Sequence, residues 1–286
     1  MMEIGVRVTY GGEFGEEYED LMKGFGKVLN MGITSCQLSV WDEEHITDEK
    51  AAYVKECIDK TGIKVSSVWA GWGSGPSSEW NFRFGPDTLG LVPPAYRGAR
   101  LEFLKKASRF TELIDVENMI THVGFIPENM SDPNFAGVVG CLRELCRVMK
   151  DRGQYFLFET GQETPVTLLR TIEAIGMDNV GINLDTANLI LYGKANPVDA
   201  LDVIGKYVRD THCKDGMYPT TGTELGKETR MGDGKVDFYN FVKGLYELGY
   251  TGPLTIEREI TGDEQVQDII HARKMLEDIK ESLGIK

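Results

Sequence analysis

The sequence lacks any apolar segment long enough to cross a membrane. None of its 286 residues lies in a stretch that approaches the roughly 18 uncharged apolar residues of a spanning helix. The first ten residues carry Glu3 and Arg7 and lack the apolar core of an export signal. We therefore expect a protein that neither enters a membrane nor is exported.

Cysteine is scarce, and its spacing excludes the common redox and zinc motifs. The five cysteines are odd in number, and no two of them have the C-x-x-C spacing. This usage is typical of free thiols in a reducing compartment, so we expect a cytoplasmic protein. Cys141 and Cys146 fall within an apolar helical pattern, which predicts that they pack in the core.

Positive charge is also in short supply. Lysine and arginine together number 31 against 45 acidic residues, which gives a formal net charge of −14. Such a protein repels phosphates unless a local basic patch overrides the total. The densest basic stretch, residues 97–106, has a helical pattern and includes Glu102. We therefore expect no nucleic-acid partner.

Short apolar runs alternate with longer amphipathic segments along the whole chain. The apolar runs predict strands near residues 4–9, 35–40, 64–69, 118–123, 155–159, 180–185, 208–213 and 253–258. Each run is followed by a segment with helical spacing. In one of these segments four apolar residues step by four, three and four, and so share a helix face: Val138, Leu142, Leu145 and Met149.

Helix boundaries agree with this alternation. Three residues are expected to cap helix starts, two of them followed by proline: Thr164, Asn196 and Asp237. Four glycines are expected to end helices in the left-handed conformation, shortly before a strand begins: Gly32, Gly62, Gly176 and Gly249.

Eight strand–helix units in a chain of this length predict a (β/α)₈ TIM barrel. The main alternative, an open doubly wound sheet, usually has a glycine-rich phosphate loop after an early strand, and the sequence has none. No long linker rich in proline, glycine or serine divides the chain, so we expect one domain over residues 1–286. The longest irregular stretch, Gly71–Pro94, is expected to form a wall or lid of a pocket.

Four polar residues stand at equivalent places on four successive predicted strands. Glu159, Asp185, His212 and Glu257 come at the carboxyl ends, which converge on one mouth of a barrel. Three carboxylates this close would repel one another, and a divalent cation removes the conflict. Three oxygen donors and one nitrogen suit Mn²⁺, Mg²⁺, Co²⁺ or Zn²⁺, and ligand type does not choose among them.

Each of these residues also has an ordinary structural interpretation. Glu159 could pair with Lys214, and His212 could be a hydrogen-bonded core histidine. Glu257 could pair with Arg258, although strand alternation is expected to direct the Arg258 side chain to the other face. Their shared position on four consecutive strands favours the metal site over these separate explanations. For His122, at the end of the fourth strand, metal ligand, substrate contact and structural hydrogen bond all stay open.

Several short motifs resemble those of a known superfamily. The matching segments are residues 158–160, 183–188, 211–215, 232–238 and 254–257, which read FET, NLDTAN, THCKD, GDGKVDF and LTIE. In order and spacing they resemble the xylose isomerase-like barrels, specifically the sugar phosphate isomerase/epimerase branch with its ketose 3-epimerases and inosose dehydratases. The resemblance covers essentially the whole chain.

The resemblance implies a metal-dependent isomerase or epimerase. Glu159, Asp185, His212 and Glu257 would be the metal ligands, and the two glutamates would also be the acid and base. The substrate would be a keto sugar or sugar phosphate that reacts through a cis-enediolate, and barrels of this kind often form homo-oligomers. A dehydratase of the inosose or dehydroshikimate type is one alternative, and a sugar-binding barrel without catalysis is another.

The candidates for substrate contacts are Trp69, His122, Asn188, Lys214 and Arg230. Asn188 stands where the epimerases often have histidine, and Arg230 lies in an enlarged loop, Gly216–Met231. Trp69 ends the third strand and could be a hydrophobic wall for a sugar or a core plug. The related endonuclease IV branch uses many histidines, whereas this chain has four, so we do not expect a nuclease.

Overall fold

Eight parallel strands close into a barrel in the computed structural model, which describes residues 2–10, 20–73 and 75–285. The barrel strands are β1 (Ile4–Thr9), β2 (Ser35–Val40), β3 (Lys64–Ala70), β4 (Asn118–Thr121), β5 (Tyr155–Glu159), β6 (Val180–Asp185), β7 (Val208–Cys213) and β10 (Leu254–Ile256). Each strand pairs with the next, and β10 returns to pair with β1. The predicted (β/α)₈ architecture in a single domain is confirmed.

Helices surround this barrel and cover its outer face. They are α1 (Leu21–Asn30), α2 (Asp48–Thr61), α3 (Gly85–Thr88), α4 (Pro94–Leu113), α5 (Pro133–Asp151), α6 (Pro165–Ile175), α7 (Thr186–Leu191), α8 (Pro197–Ile204), α9 (Phe238–Glu247) and α10 (Asp263–Ser282). Helix α5 buries the four apolar residues that were predicted to share a face, together with Cys141 and Cys146. All five cysteines are free and buried. No helix within the described ranges has the length and apolar composition needed to span a bilayer.

The predicted helix boundaries are confirmed by their hydrogen bonds and backbone angles. The side chains of Thr164, Asn196 and Asp237 each accept a hydrogen bond from a backbone N–H in the first turn of α6, α8 and α9. Gly62 ends α2 with φ of 69°, and Gly176 ends α6 with φ of 66°. These left-handed residues turn the chain directly into the next strand.

A small antiparallel hairpin, absent from the sequence predictions, follows β7. Its strands are β8 (Asp215–Met217) and β9 (Lys227–Thr229). The carboxylate of Asp215 holds the segment beyond it, because it accepts hydrogen bonds from the backbone N–H groups of Gly232, Gly234 and Val236 at 2.9 to 3.1 Å. The hairpin therefore occupies most of the predicted loop Gly216–Met231 and shapes one side of the barrel mouth.

The barrel interior contains a layer of polar side chains. Asp210 is buried there and accepts hydrogen bonds from the hydroxyls of Ser66, Ser67 and Thr255 at 2.5 to 3.1 Å. Burial raises the pKa of this carboxyl, and the serine hydroxyls act in the opposite direction. This network ties strands β3, β7 and β10 together inside the barrel.

Candidate functional site

The four residues predicted as metal ligands meet at the carboxyl end of the barrel. Glu159 ends β5, Asp185 ends β6, His212 lies near the end of β7, and Glu257 follows β10. All four are buried, and each offers one donor atom that lies within 4.8 Å of the others. The parallel register explains this meeting, because Asp185 pairs with His212 across β6 and β7.

The Nδ1 atom of His212 faces all three carboxylates. It lies 2.9 Å from Glu159 Oε1, 3.2 Å from Glu257 Oε2 and 3.5 Å from Asp185 Oδ2. Three carboxylate oxygens and one imidazole nitrogen thus converge on one small volume.

Gln37 on β2 fixes the orientation of the histidine ring. Its Oε1 lies 2.7 Å from His212 Nε2, while its Nε2 donates to Asn183 Oδ1 at 3.0 Å. Since the amide oxygen of Gln37 can only accept, His212 Nε2 carries the hydrogen and Nδ1 points at the carboxylates. A partner on the outer ring nitrogen is what a metal-binding histidine normally has.

The remaining oxygens of the two glutamates have different partners. Glu159 Oε2 accepts a hydrogen bond from the indole N–H of Trp69, and His122 Nε2 lies 3.5 Å from it. Glu257 Oε1 forms an ion pair with Arg7 Nη1 at 2.9 Å. One glutamate is therefore held by an indole, and the other is held by a permanent cation.

Lys214 places a buried ammonium against the same cluster. Its Nζ lies 2.8 Å from Glu257 Oε2 and 3.0 Å from Asp185 Oδ2, with Glu259 further out at 3.4 Å. Strand alternation explains the position, because Lys214 is two residues beyond His212 and so faces the same side.

The site strongly favours positive charge at its centre. Burial alone would lower the pKa of His212, but Glu257 and Glu159 raise it well above its ordinary value. Burial raises the pKa of the Glu159 carboxyl. The neighbouring His122 and His212 outweigh burial and lower that pKa to about 2. For Glu257 the opposing cations are His212, Lys214 and Arg7, and they hold its pKa well below the usual range.

These residues fit a divalent cation. Asp185 Oδ1 caps α7 by accepting from the Asn188 N–H at 2.7 Å, whereas the buried Oδ2 accepts no hydrogen bond from any described residue. Oδ2 is directed into the cluster, where its contacts to His212 and Lys214 are ion pairs. An oriented imidazole and three carboxylates are the donors that Mg²⁺, Mn²⁺ and Zn²⁺ sites use.

A pocket opens directly above this cluster. Its cavity volume is about 110 Å³. Its lining combines the cluster glutamates with aromatic, polar and apolar side chains: Arg7, Trp41, Trp69, Trp80, His122, Asn188, Leu191, Tyr192, Leu225 and Glu259. The predicted stretch Gly71–Pro94 contributes Trp80 to the wall; its Ser74 lies outside the described residues.

The structure brings most of the predicted substrate contacts to this pocket. Trp69, His122 and Asn188 line it, and Lys214 reaches the cluster beneath it. Trp69 is buried against Trp41, with ring centroids 4.6 Å apart, and it also lines the pocket. Its position is therefore compatible with both predicted roles, a core plug and a hydrophobic wall for a sugar. Arg230 is not brought there; it lies on the hairpin side, half-exposed, with Nε 3.5 Å from Asp268 Oδ1 on α10.

Sequence reasoning missed three residues of the site. Arg7 is the only charged residue of β1, and Gln37 is the only amide of β2. A long polar side chain within a barrel strand is the signal that could have indicated each of them. Tyr192 follows α7 and lines the pocket, where its hydroxyl accepts from Gln162 Nε2 at 3.1 Å. Arg258 shows the predicted strand alternation, because it turns away from the site to pair with Glu228 and Asp268.

Comparisons with known proteins agree with the barrel fold. A family model described as "Xylose isomerase-like TIM barrel" matches residues 25–279. A xylose isomerase domain protein from Planctomyces limnophilus is 30% identical in sequence, with a TM-score of 0.90 over 99% of both chains.

Two further solved structures share the fold at lower sequence identity. A D-psicose 3-epimerase from Clostridium cellulolyticum, solved with D-tagatose, has a TM-score of 0.71 and 17% identity over 97% of this chain and 99% of its own. A xylose isomerase-like TIM barrel protein from Mycobacterium smegmatis, solved in complex with magnesium, has a TM-score of 0.69 and 17% identity over 92% of this chain and 88% of its own.

Proposed function

The chain belongs to the xylose isomerase-like TIM barrel family, and from this premise we propose that it is a divalent-metal-dependent isomerase or epimerase of a keto sugar or a related ketone. The observation that carries the proposal is the convergence of Glu159, Asp185 and Glu257 on Nδ1 of His212 beneath an aromatic pocket. The magnesium bound by one relative and the epimerase activity named for another support it.

In this proposal Glu159, Asp185, His212 and Glu257 hold one divalent cation, either Mg²⁺, Mn²⁺, Co²⁺ or Zn²⁺. The bound cation supplies Lewis-acid polarisation of the substrate carbonyl, which acidifies the neighbouring C–H bond. Gln37 keeps Nδ1 of His212 directed at the cluster. The Asn188 N–H holds one oxygen of Asp185, so that the other faces the cluster beside His212 and Lys214.

Proton transfer is assigned to the two glutamates. One of them takes the proton from the carbon next to the carbonyl, and the other returns a proton to the resulting enediolate. Trp69 holds Glu159 through its indole N–H, and Arg7 holds Glu257, so both carboxylates are fixed before the substrate arrives. The walls formed by Trp41, Trp69 and Trp80 would exclude water from the reacting carbon.

Solvent-deuterium incorporation into a ketose panel with added Mn²⁺ tests this function. We expect exchange with the wild type and a loss of about 100-fold or more in Glu159→Gln and in Glu257→Gln. The control is Glu117→Gln, an exposed glutamate that directly precedes β4, at the opposite end of the barrel from the site.

Each alternative predicts a different result. Full exchange in both active-site variants would show that the acid/base assignment is wrong. Ultraviolet absorbance of an enone product would indicate a dehydratase, which shares the proton abstraction but then expels a hydroxyl. Binding of a sugar with no exchange under any metal would indicate a barrel without catalysis.

A further inference from the structure

A glycine lies where three side chains of the pocket wall meet. Gly161 follows β5, and its φ lies outside the left-handed region, so the backbone does not require glycine at this position. A Cβ atom on Gly161 would lie 3.3 Å from His122 Cε1, 3.5 Å from Tyr192 Cε2 and 3.6 Å from Asn188 Cβ. All three side chains line the pocket. The missing side chain therefore leaves space for a small group of a ligand among them.

The polar groups around this space retain unused hydrogen-bonding capacity. His122 Nδ1 is buried without a partner among the described residues, whereas Nε2 of the same ring faces Glu159. The side-chain amide of Asn188 makes no hydrogen bond to any described residue. The Tyr192 hydroxyl accepts from Gln162 Nε2 at 3.1 Å, so its own hydrogen is available to donate. Buried polar groups are costly without partners, so this set calls for a ligand that hydrogen-bonds to it.

These groups match an alcohol hydroxyl better than a phosphate or a carboxylate. The amide of Asn188 offers a donor and an acceptor, and the Tyr192 hydroxyl offers a donor. The imidazole nitrogen of His122 donates or accepts according to its tautomer. Because a hydroxyl group also donates and accepts, it can satisfy each of them. A phosphate or carboxylate oxygen only accepts, so it would leave the amide oxygen of Asn188 unsatisfied.

The charged groups of the pocket also disfavour an anion. Arg7 is the only lysine or arginine among the described residues that line the pocket, and it is already held by Glu257 and Ser39. Lys214, beneath the pocket, is held by three carboxylates. Glu259 adds a negative charge to the lining. A phosphate bound here would lose its hydration without gaining an unpaired cation.

We infer that the pocket binds an uncharged polyhydroxy ketone, with one of its hydroxyl groups seated at Gly161 against His122, Asn188 and Tyr192. The inference rests on the proposed function, because that function places the keto group of the substrate at the carboxylate cluster. It names an unphosphorylated substrate, and it makes Gly161 and Tyr192 specificity-determining residues of the same site.

Calorimetric titration of ketohexoses tests the inference. D-fructose, D-psicose, D-tagatose and D-sorbose cover both configurations at C3 and at C4, so this panel presupposes no stereochemistry at those carbons. Each sugar is titrated into the protein with saturating Mg²⁺, and the one that binds most tightly is compared with its own 1-phosphate and 6-phosphate. We expect the uncharged sugar to bind at least about tenfold more tightly than either phosphate.

Two variants change the proposed hydroxyl site and leave the metal ligands unaltered. In Gly161→Ala the added methyl group meets side chains alone, at 3.3 to 3.6 Å, so the fold should be retained. Because this methyl group fills the space, we expect the affinity for the preferred ketohexose to fall at least about tenfold. Tyr192→Phe removes one donor and should weaken the same sugar about three- to tenfold; it also carries the test if Gly161→Ala does not fold.

The matched controls are Gly140→Ala and Tyr239→Phe. Gly140 is exposed in α5 with no atom within 4 Å of its Cβ position, and Tyr239 is exposed on α9. Both controls should bind the ketohexose with wild-type affinity. All four variants should also keep the wild-type affinity for Mn²⁺, because none of the changed residues belongs to the carboxylate and histidine cluster.

Several results would overturn the inference. One is tighter binding of either phosphate than of its parent sugar, and another is that none of the four sugars binds. Unchanged sugar affinity in both Gly161→Ala and Tyr192→Phe would show that no hydroxyl group is bound at Gly161. An equal loss of Mn²⁺ and sugar affinity in these two variants would show that they only support the metal cluster. Calorimetry reads binding alone, so a failure of proton transfer in the deuterium experiment remains separately visible.

Discussion

At the scale of single residues, the site depends on side chains that touch the four predicted ligands. Glu159, Asp185, His212 and Glu257 could be predicted because each stands at the end of a recognisable strand. Gln37 was missed, because its role depends on a 2.7 Å contact with a residue 175 positions away in the sequence. The position of Arg230 was equally invisible, because its contact with Asp268 depends on how the hairpin packs on α10.

Replacement of Gln37 by leucine should weaken metal binding. Without its amide oxygen, His212 loses the partner that keeps Nδ1 directed at the carboxylates. We expect the affinity for Mn²⁺, measured by isothermal titration calorimetry, to fall about 10- to 100-fold. Gln267→Leu on the exposed face of α10 is the control. An unchanged affinity in Gln37→Leu would show that Gln37 does not orient the ligand.

Glu163 is a buried carboxyl close to the site that the proposed mechanism does not use. Both of its oxygens are buried without a hydrogen-bond partner among the described residues. Burial raises its pKa from 4.5 to about 8, with a smaller contribution from Glu159. Between these values the folded protein holds a proton that the unfolded chain has released, so this group makes the protein less stable as pH rises.

Glu163→Gln should remove this pH dependence. We expect the wild type to lose stability relative to the variant by about 1 kcal/mol per pH unit between pH 5 and pH 8. Urea unfolding at pH 5, 6.5 and 8 gives the free energy of unfolding of both proteins. The contributions of other titratable groups cancel in the difference between the two values at each pH. A difference that stays constant over this range would mean that Glu163 ionises normally in the folded state.

At the scale of elements, the eight barrel strands were predictable because each is a short apolar run bounded by a helix signal. The hairpin of β8 and β9 was not predictable, since Lys227–Thr229 is polar and has no apolar alternation. Its stability comes from distant contacts. Glu228 accepts from the Glu259 N–H at 3.1 Å and pairs with Arg258 at 3.0 Å, which ties the hairpin to the segment after β10.

The two helix glycines Gly62 and Gly140 should respond oppositely to alanine. Gly62 ends α2 at φ of 69° in open space, so alanine there meets no atom but is strained by its backbone, at a cost of about 1 kcal/mol. Gly140 is exposed within α5, also in open space, and alanine should stabilise the protein by roughly 0.5 to 1 kcal/mol. Chemical unfolding measures the change in stability of each variant. Changes of the same sign in the two variants would contradict the assignment of Gly62 as the cap of α2.

At the scale of the whole molecule, strand alternation and chain length were sufficient to predict a closed single-domain barrel. Closure brings the carboxyl ends of all strands to one mouth, and this is why residues as distant in sequence as Arg7 and Glu257 meet. The net charge of −14 has a partly local meaning, because three of the acidic residues form the cluster. The sequence did not reveal how Arg7 and Lys214 offset that cluster, since their pairing depends on the closed barrel.

The most direct test of the proposed site is the stoichiometry of Mn²⁺ binding in Asp185→Asn. Asparagine can still cap α7, so the fold should be retained, while the side chain at position 185 no longer presents a negative charge to the cluster. Asp237→Asn, which changes the equivalent cap of α9 away from the site, is the matched control.

We expect calorimetric titration to show one tightly bound Mn²⁺ per chain in the wild type and in Asp237→Asn. In Asp185→Asn we expect a loss of affinity of at least about tenfold. Equal binding by all three proteins, or no binding by the wild type, would contradict a metal centre formed by Glu159, Asp185, His212 and Glu257.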